Sequence, residues 1–256
     1  METCVVHSIG ELIEEVRALI TKTGLKWWFR GHACASWTLV PRVRRGYTLE
    51  QEKELTNEFR LRTALRYSRP PDGNDYAGWL ALMQHYGLPT RLLDWSRSPL
   101  VAAYFATESS ERHSSGPPLD DACIWALTPS QLNESMSLKP LLYPLNAEEL
   151  VHCLKPAIQG SDTHEREFAA VPSETDLRML MQQGAFTIHT SKRLLTDIPG
   201  ADELLRQFII PADALPHMRS DLEILSIRLG DVFPDLTHLA AELSADHKTS
   251  SGRAEG

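Results

Sequence analysis

The stretch YAGWLALMQHYGLPTRLLDWSRSPLVAAYFAT, residues 76–107, decides the fold of this chain. Two apolar helical runs flank a short polar centre, where His85, Arg91 and Asp94 stand among leucines and a tryptophan. Because burial of an unpaired charge is expensive, these three side chains need partners. They form either a structural network with one another or the floor of a polar site.

Helix start and stop signals surround this centre. Asp75 is a typical N-cap for the first helix, and Gly87 is a typical end signal. Ser98 followed by Pro99 is the favoured order at the start of the second helix. Ser8 and Glu11 have the spacing of a capping box ahead of another amphipathic helix. The segments that read as strands are LKWWFRGH (25–32), ACIWALTP (122–129), LRMLMQQGAFTIHT (177–190) and RQFIIP (206–211).

These patterns predict an α+β protein with a single domain, residues 1–244. We expect a central, mostly antiparallel sheet, in one piece or split, with helices on its faces. An N-terminal helix over 8–23 precedes a core over 25–211, and further helices follow over 212–244. The last residues, 245–256, lack large apolar side chains and are predicted to be a disordered tail.

Composition and charge exclude several classes of protein. The net charge of -8 and pI near 5.7 argue against a general nucleic-acid or anionic-membrane binder, since such proteins are usually basic. No apolar stretch reaches transmembrane length and the N-terminus does not resemble a signal peptide, so we expect a cytoplasmic protein. The widely spaced cysteines and the lack of standard nucleotide, hydrolase or zinc motifs predict no metal site.

Two further polar segments are candidates for the same site. Arg30 stands at the end of an aromatic strand beside Gly31 and His32, where a glycine allows close approach of another part of the backbone. Gln182 and Gln183 precede a glycine in the later strand segment.

Each candidate also has a structural interpretation. Arg30 can pair with Asp94, Arg91 can form a salt bridge with Asp94, and His85 at a helix end is commonly a capping or core residue. Gln183 alone is more typical of a structural role. The arginines of the segment WTLVPRVRRG are typical of exposed loop charge, with contact to an anion as the less common alternative: Arg42, Arg44 and Arg45.

The chain resembles the FRG domain family, named for the Phe-Arg-Gly that stands here at 29–31. The block QHYGLPTRLLDW (84–95), the segment WTLVP (37–41) and the C-terminal FPDL (233–236) fit the same pattern. The resemblance spans roughly residues 25–240.

A weaker resemblance connects WFRG, DWSRSPLVAAYFA and MLMQQGAF, in that order, with arginine-class ADP-ribosyltransferases. It implies an ADP-ribosyltransferase-like fold, an arginine on the NAD pyrophosphate, and a carboxylate that stabilises an oxocarbenium-like state. Where that family has a glutamate, this chain has glutamines, which carry no charge.

The resemblance implies NAD or a related nucleotide as ligand and transfer of ADP-ribose to an unknown macromolecular acceptor. The alternative is a non-catalytic module that senses a small anion or a protein partner. The implied catalytic residues are Asp94, Gln183 and His85, and the implied NAD-binding residues are Arg30, Gly31, His32, Arg91 and Ser96.

Overall fold

A computed structural model describes residues 2–108, 120–160, 166–172 and 177–251. Its strands are β1 Glu2–Val5, β2 Trp28–His32, β3 Leu92–Ser96, β4 Ala122–Leu127, β5 Tyr143–Pro144, β6 Glu167–Val171, β7 Gly184–His189 and β8 Leu205–Ile210. Its helices are α1 Ile9–Thr23, α2 Leu49–Thr63, α3 Tyr76–His85, α4 Pro99–Thr107, α5 Pro129–Ser135, α6 Glu148–Leu154, α7 Pro156–Gln159, α8 Leu177–Met181, α9 Ala201–Leu204, α10 Leu215–Ile224, α11 Leu229–Val232 and α12 Leu236–Ser251. Short 3-10 helices occur at Arg42–Arg45 and Leu195–Asp197.

The strands form one sheet in the order β1-β8-β4-β2-β3-β7-β6-β5. All neighbours are antiparallel except the two edge pairs, β1 with β8 and β5 with β6. The predicted α+β architecture, a mostly antiparallel sheet flanked by helices, is therefore confirmed.

The sheet is in one piece, but its middle is weakly joined. β2 and β3 are aligned through one Cα pair, Phe29 with Ser96. By contrast, β2 pairs with β4 through five residues, and β3 pairs with β7 through five. Beyond Phe29 the two central strands therefore diverge, and we call this place the central junction.

Separate groups of helices cover the two halves of one sheet face. Helices α1, α4 and α10 pack with β2, β4 and β8 in one apolar cluster, and α3, α6 and α7 pack with β3, β6 and β7 in another. The opposite face holds a third cluster, which includes Trp28, Trp95 and Trp125 and is covered by α5 and α9. The two groups of helices flank the central junction.

The caps explain where the helices begin. The side chains of Ser8, Asp75 and Ser98 accept hydrogen bonds from backbone N–H groups in the first turns of α1, α3 and α4. Gly24, with φ 64°, ends α1 in the left-handed conformation that a glycine adopts without strain.

The segment LRMLM was predicted as part of a strand, and that prediction is wrong. These residues form helix α8, and the strand begins only at Gly184. Leucine, arginine and methionine are all good helix formers, so the local propensity agrees with the structure.

The last helix does not end where the apolar pattern does. Helix α12 runs to Ser251, seven residues into the predicted tail 245–256, while residues 252–256 lie outside the described part. Within the described ranges, no helix is both long enough and apolar enough to cross a membrane.

Candidate functional site

A cleft of about 740 Å³ opens at the central junction, and we call it the central cleft. Its walls come from β2 and the loop after it, the 3-10 helix Arg42–Arg45, the end of α3, β3, α4 and α8. The cleft exists because the helices on the two halves of the sheet stand apart where β2 and β3 diverge.

Arg30 bridges the diverging strands with its side chain. Its Nη1 donates to the backbone carbonyl oxygen of Asp94 at 2.6 Å, and its Nε donates to Nε2 of His32 at 3.0 Å. The guanidinium thus replaces a missing hydrogen bond of the β2–β3 ladder, and it also lines the cleft. Burial lowers the pKa of Arg30, which the Asp94 carboxylate opposes, but a guanidinium stays protonated in proteins.

His32 supports Arg30 from the core. The imidazole is buried and does not line the central cleft. Burial, and next the positive charge of Arg30, lower the pKa of His32 to about 3, so the ring is neutral at pH 7. A neutral ring can accept the Arg30 N–H, so His32 positions the guanidinium, whereas the resemblance implied that His32 itself contacts NAD.

Asp94 presents its carboxylate to the cleft. The side chain is 55% exposed and lies 3.9 Å from Nη1 of Arg30. Nε2 of Gln84 donates to Asp94 Oδ2 at 2.6 Å, and Thr90 in turn donates to the Gln84 amide oxygen. This chain of hydrogen bonds fixes the orientation of the carboxylate. The structure therefore brings Arg30 and Asp94 together, as the sequence predicted.

Gly31 allows the close backbone approach that the sequence predicted. A Cβ atom at this position would lie 1.9 Å from the carbonyl oxygen of Ala102 and 2.6 Å from the nitrogen of Ala106. The glycine therefore lets α4 pack directly on β2, and its predicted close approach is to a helix. Ser96 also lines the cleft, where its hydroxyl donates to the carbonyl of Gln182 and accepts from the N–H of Ser98.

Arg91 does not line the cleft, and its predicted salt bridge with Asp94 is wrong. Its Nε and Nη2 donate to the two carboxylate oxygens of Glu52, each at 2.8 Å, and Nη1 donates to the carbonyl of Cys153. Arg44 also approaches Glu52, at 3.4 Å, and is buried, whereas the sequence favoured an exposed charge. Arg91, Glu52 and Arg44 form a buried ion triad.

His85 and Gln183 were predicted to be catalytic, but neither lines the central cleft. The His85 ring packs edge-on against Tyr86. Gln183 forms the turn before β7 with φ 47°, and its side chain is exposed. Its neighbour Gln182 lines the cleft instead, and donates to the carbonyl of Val232.

Several cleft residues were missed or given a lesser role. In the 3-10 helix Arg42–Arg45, the first and last residues are exposed and line the cleft, while Val43 and Arg44 are buried. Residues i and i+3 of a 3-10 helix lie above one another, so this spacing was the available signal. The lining includes the guanidinium groups of Arg30, Arg42, Arg45 and Arg178 and the carboxylates of Asp94, Glu108 and Asp120.

The side chains of this cleft suit an anion more than a metal. Arg45 is close enough to lower the pKa of Arg30, so the positive charges of both arginines act on the same part of the cleft. The Arg45 side chain makes no hydrogen bond or ion pair with any residue that the structure describes. Within those same ranges, no group of three histidine, cysteine or carboxylate side chains is placed to hold a metal ion.

Residues 25–115 match the protein-family model of the FRG domain. An FRG domain is therefore present over these residues. No curated protein and no solved structure matches the chain. Residues 25–115 include every residue that lines the central cleft except Asp120, Arg178 and Gln182.

The three letters of the FRG motif have distinct roles in this domain. Phe29 is buried in the core with α1 and α4. Arg30 joins the diverging strands and faces the cleft, and Gly31 makes room for α4. The motif therefore builds the cleft and contributes a charge to it.

Proposed function

We propose that the central cleft binds NAD or a related nucleotide, and that the FRG domain transfers ADP-ribose from it to an acceptor. The observation that carries this proposal is that Arg30, Arg45 and the Asp94 carboxylate all line one cleft. Guanidinium groups bind pyrophosphate oxygens well because their N–H donors form a planar fork. The cleft volume falls within the roughly 300–1,000 Å³ that is typical of small-molecule sites.

The proposed reaction breaks the bond between nicotinamide and ribose. The bonding electron pair leaves with nicotinamide, and the ribose carbon develops positive charge. The Asp94 carboxylate would stabilise that charge, while Arg30 and Arg45 hold the pyrophosphate in place. A nucleophile of the macromolecular acceptor would then form the new bond to the ribose carbon.

Replacement of Arg45 by glutamine tests the binding step. We expect NAD affinity, measured by calorimetry, to fall by about tenfold to a hundredfold, because a charge-assisted hydrogen bond is lost. The melting temperature should not change, since Arg45 is exposed and has no partner in the described part of the chain. Arg17→Gln, on the exposed face of α1, is the matched control and should bind NAD normally. Equal affinity of Arg45→Gln and wild type would contradict the proposed site.

Replacement of Asp94 by asparagine tests the chemical step. The amide keeps the shape and can still contact Gln84, but it carries no negative charge. We expect nicotinamide release from NAD to slow by roughly a hundredfold or more, while NAD binding changes by less than about threefold. Quantification of free nicotinamide by chromatography gives the rate. If Asp94→Asn releases nicotinamide as fast as wild type, Asp94 does not have the proposed role.

A non-catalytic sensing module is the second candidate. It is favoured by Gln182, which lines the cleft where the family glutamate is expected, because an amide side chain carries no negative charge. Under this alternative, calorimetry would detect saturable binding of NAD or ADP-ribose, but no nicotinamide would be released with any acceptor tested.

A further inference from the structure

Trp37 is unusual among the tryptophans of this chain. Its side chain is 53% exposed, whereas Trp27, Trp28, Trp79, Trp95 and Trp125 are each at most 5% exposed. Trp37 also lines the central cleft. A large indole surface left in contact with water inside a cleft is available for burial by a ligand.

The loop that carries Trp37 is firmly attached to the core. The N–H of Ala35 donates to the carbonyl of Asp121 at 2.7 Å, and the carbonyl of Leu39, which is fully buried, accepts from Leu195. The indole itself lies 6.0 Å from the His32 ring, centroid to centroid. His32 in turn accepts a hydrogen bond from Arg30, so the indole of Trp37 is held close to the positive charge of Arg30 in the cleft.

The positive charges of Arg42 and Arg45 come after Trp37 in the chain and line the same cleft. Arg42 is anchored through a hydrogen bond from its Nη1 to the carbonyl of Gly87 at 3.3 Å, and Gly87 also lines the cleft. An exposed aromatic ring beside exposed guanidinium groups is the combination that binds a flat base joined to phosphates.

We propose that Trp37 is the stacking surface for a purine ring, and that Arg42 and Arg45 contact the phosphates attached to it. This inference rests on the proposed function and narrows its substrate class to purine nucleoside diphosphates and their derivatives. Purines are favoured over pyrimidines because their larger ring system covers more of the indole face. Sugar phosphates and free pyrophosphate would use the arginines alone.

Fluorescence gives a direct test with ADP, because the other five tryptophans, including Trp95 of the cleft wall, are at most 5% exposed. Addition of ADP to wild-type protein should quench tryptophan emission in a saturable manner. In Trp37→Phe this quench should disappear, while the ADP affinity measured by calorimetry stays within about threefold, since phenylalanine still stacks. In Trp37→Ala the ADP affinity should fall by about tenfold.

Two other ligands separate this inference from the proposed function. Pyrophosphate should bind wild type and Trp37→Ala equally, and CDP should bind wild type more weakly than ADP. The stacking inference is wrong if Trp37→Ala binds ADP as tightly as wild type does. If Arg45→Gln nevertheless binds ADP more weakly than wild type, the proposed anion site stands. If wild type binds neither ADP, pyrophosphate nor NAD, both proposals are wrong.

Discussion

Replacement of Glu52 by alanine is expected to reduce the free energy of unfolding by about 3–5 kcal/mol. The Glu52 side chain is 1% exposed and accepts both hydrogen bonds of the Arg91 fork. Arg44, also buried, lies 3.4 Å from the same carboxylate. Removal of the carboxylate leaves two buried guanidinium groups without their counter-ion, and such a loss is much more costly than that of a surface pair.

Urea denaturation followed by circular dichroism measures this effect. Glu58→Ala is the matched control, since Glu58 lies on the same helix and its partner Arg62 is exposed; we expect a change below about 1 kcal/mol. The double variant Glu52→Ala with Arg91→Ala should be less destabilised than the sum of the two single variants. The buried ion triad does not stabilise the fold if the losses of unfolding free energy in the two single variants add up in the double variant. The same conclusion follows if Glu52→Ala is as stable as Glu58→Ala.

Replacement of Gly31 by alanine is expected to cost about 3 kcal/mol. The added methyl group would meet the backbone of α4, with 1.9 Å to the carbonyl oxygen of Ala102. A side chain can rotate away from such a contact, but the backbone of a buried helix cannot. Helix α4 must therefore move off β2, which disturbs one wall of the cleft as well as the core.

The melting temperature and the ADP affinity of Gly31→Ala should both fall. Gly73→Ala is the control, because a Cβ atom at Gly73 meets nothing within 4 Å and its backbone does not need a positive φ. We expect Gly73→Ala to match wild type in both measurements. A Gly31→Ala protein with wild-type stability would mean that α4 does not pack on β2 as described.

Local patterns were sufficient for much of this fold. The caps at Ser8, Asp75 and Ser98 each involve residues a few positions apart, so the sequence contains the whole interaction. The convergence of Arg30 and Asp94 was also predictable, because the FRG resemblance marks both segments. Contacts between neighbouring residues, and contacts between segments of one long motif, were therefore predictable without coordinates.

The partners of Arg91 could not be predicted in this way. Glu52 lies 39 residues earlier in the chain, on an amphipathic helix with several other carboxylates. The spacing of these carboxylates does not show which of them is buried. Asp94 is much nearer to Arg91 in the sequence, so it was predicted as the partner of Arg91. The sequence also could not show which of two adjacent glutamines faces the cleft. Gln183 adopts a left-handed backbone conformation that exposes its side chain, and Gln182 lines the cleft instead.

The bridge that Arg30 makes across the central junction restricts what can replace it. Its Nε serves His32 while its Nη1 serves the Asp94 carbonyl, so two separate nitrogens of one flat group satisfy two acceptors. A lysine has a single ammonium at the end of a flexible stem and cannot reproduce that fixed fork. Lysine would keep the positive charge for a ligand but lose one of the two tethers, so the halves of the sheet would be less firmly tied together.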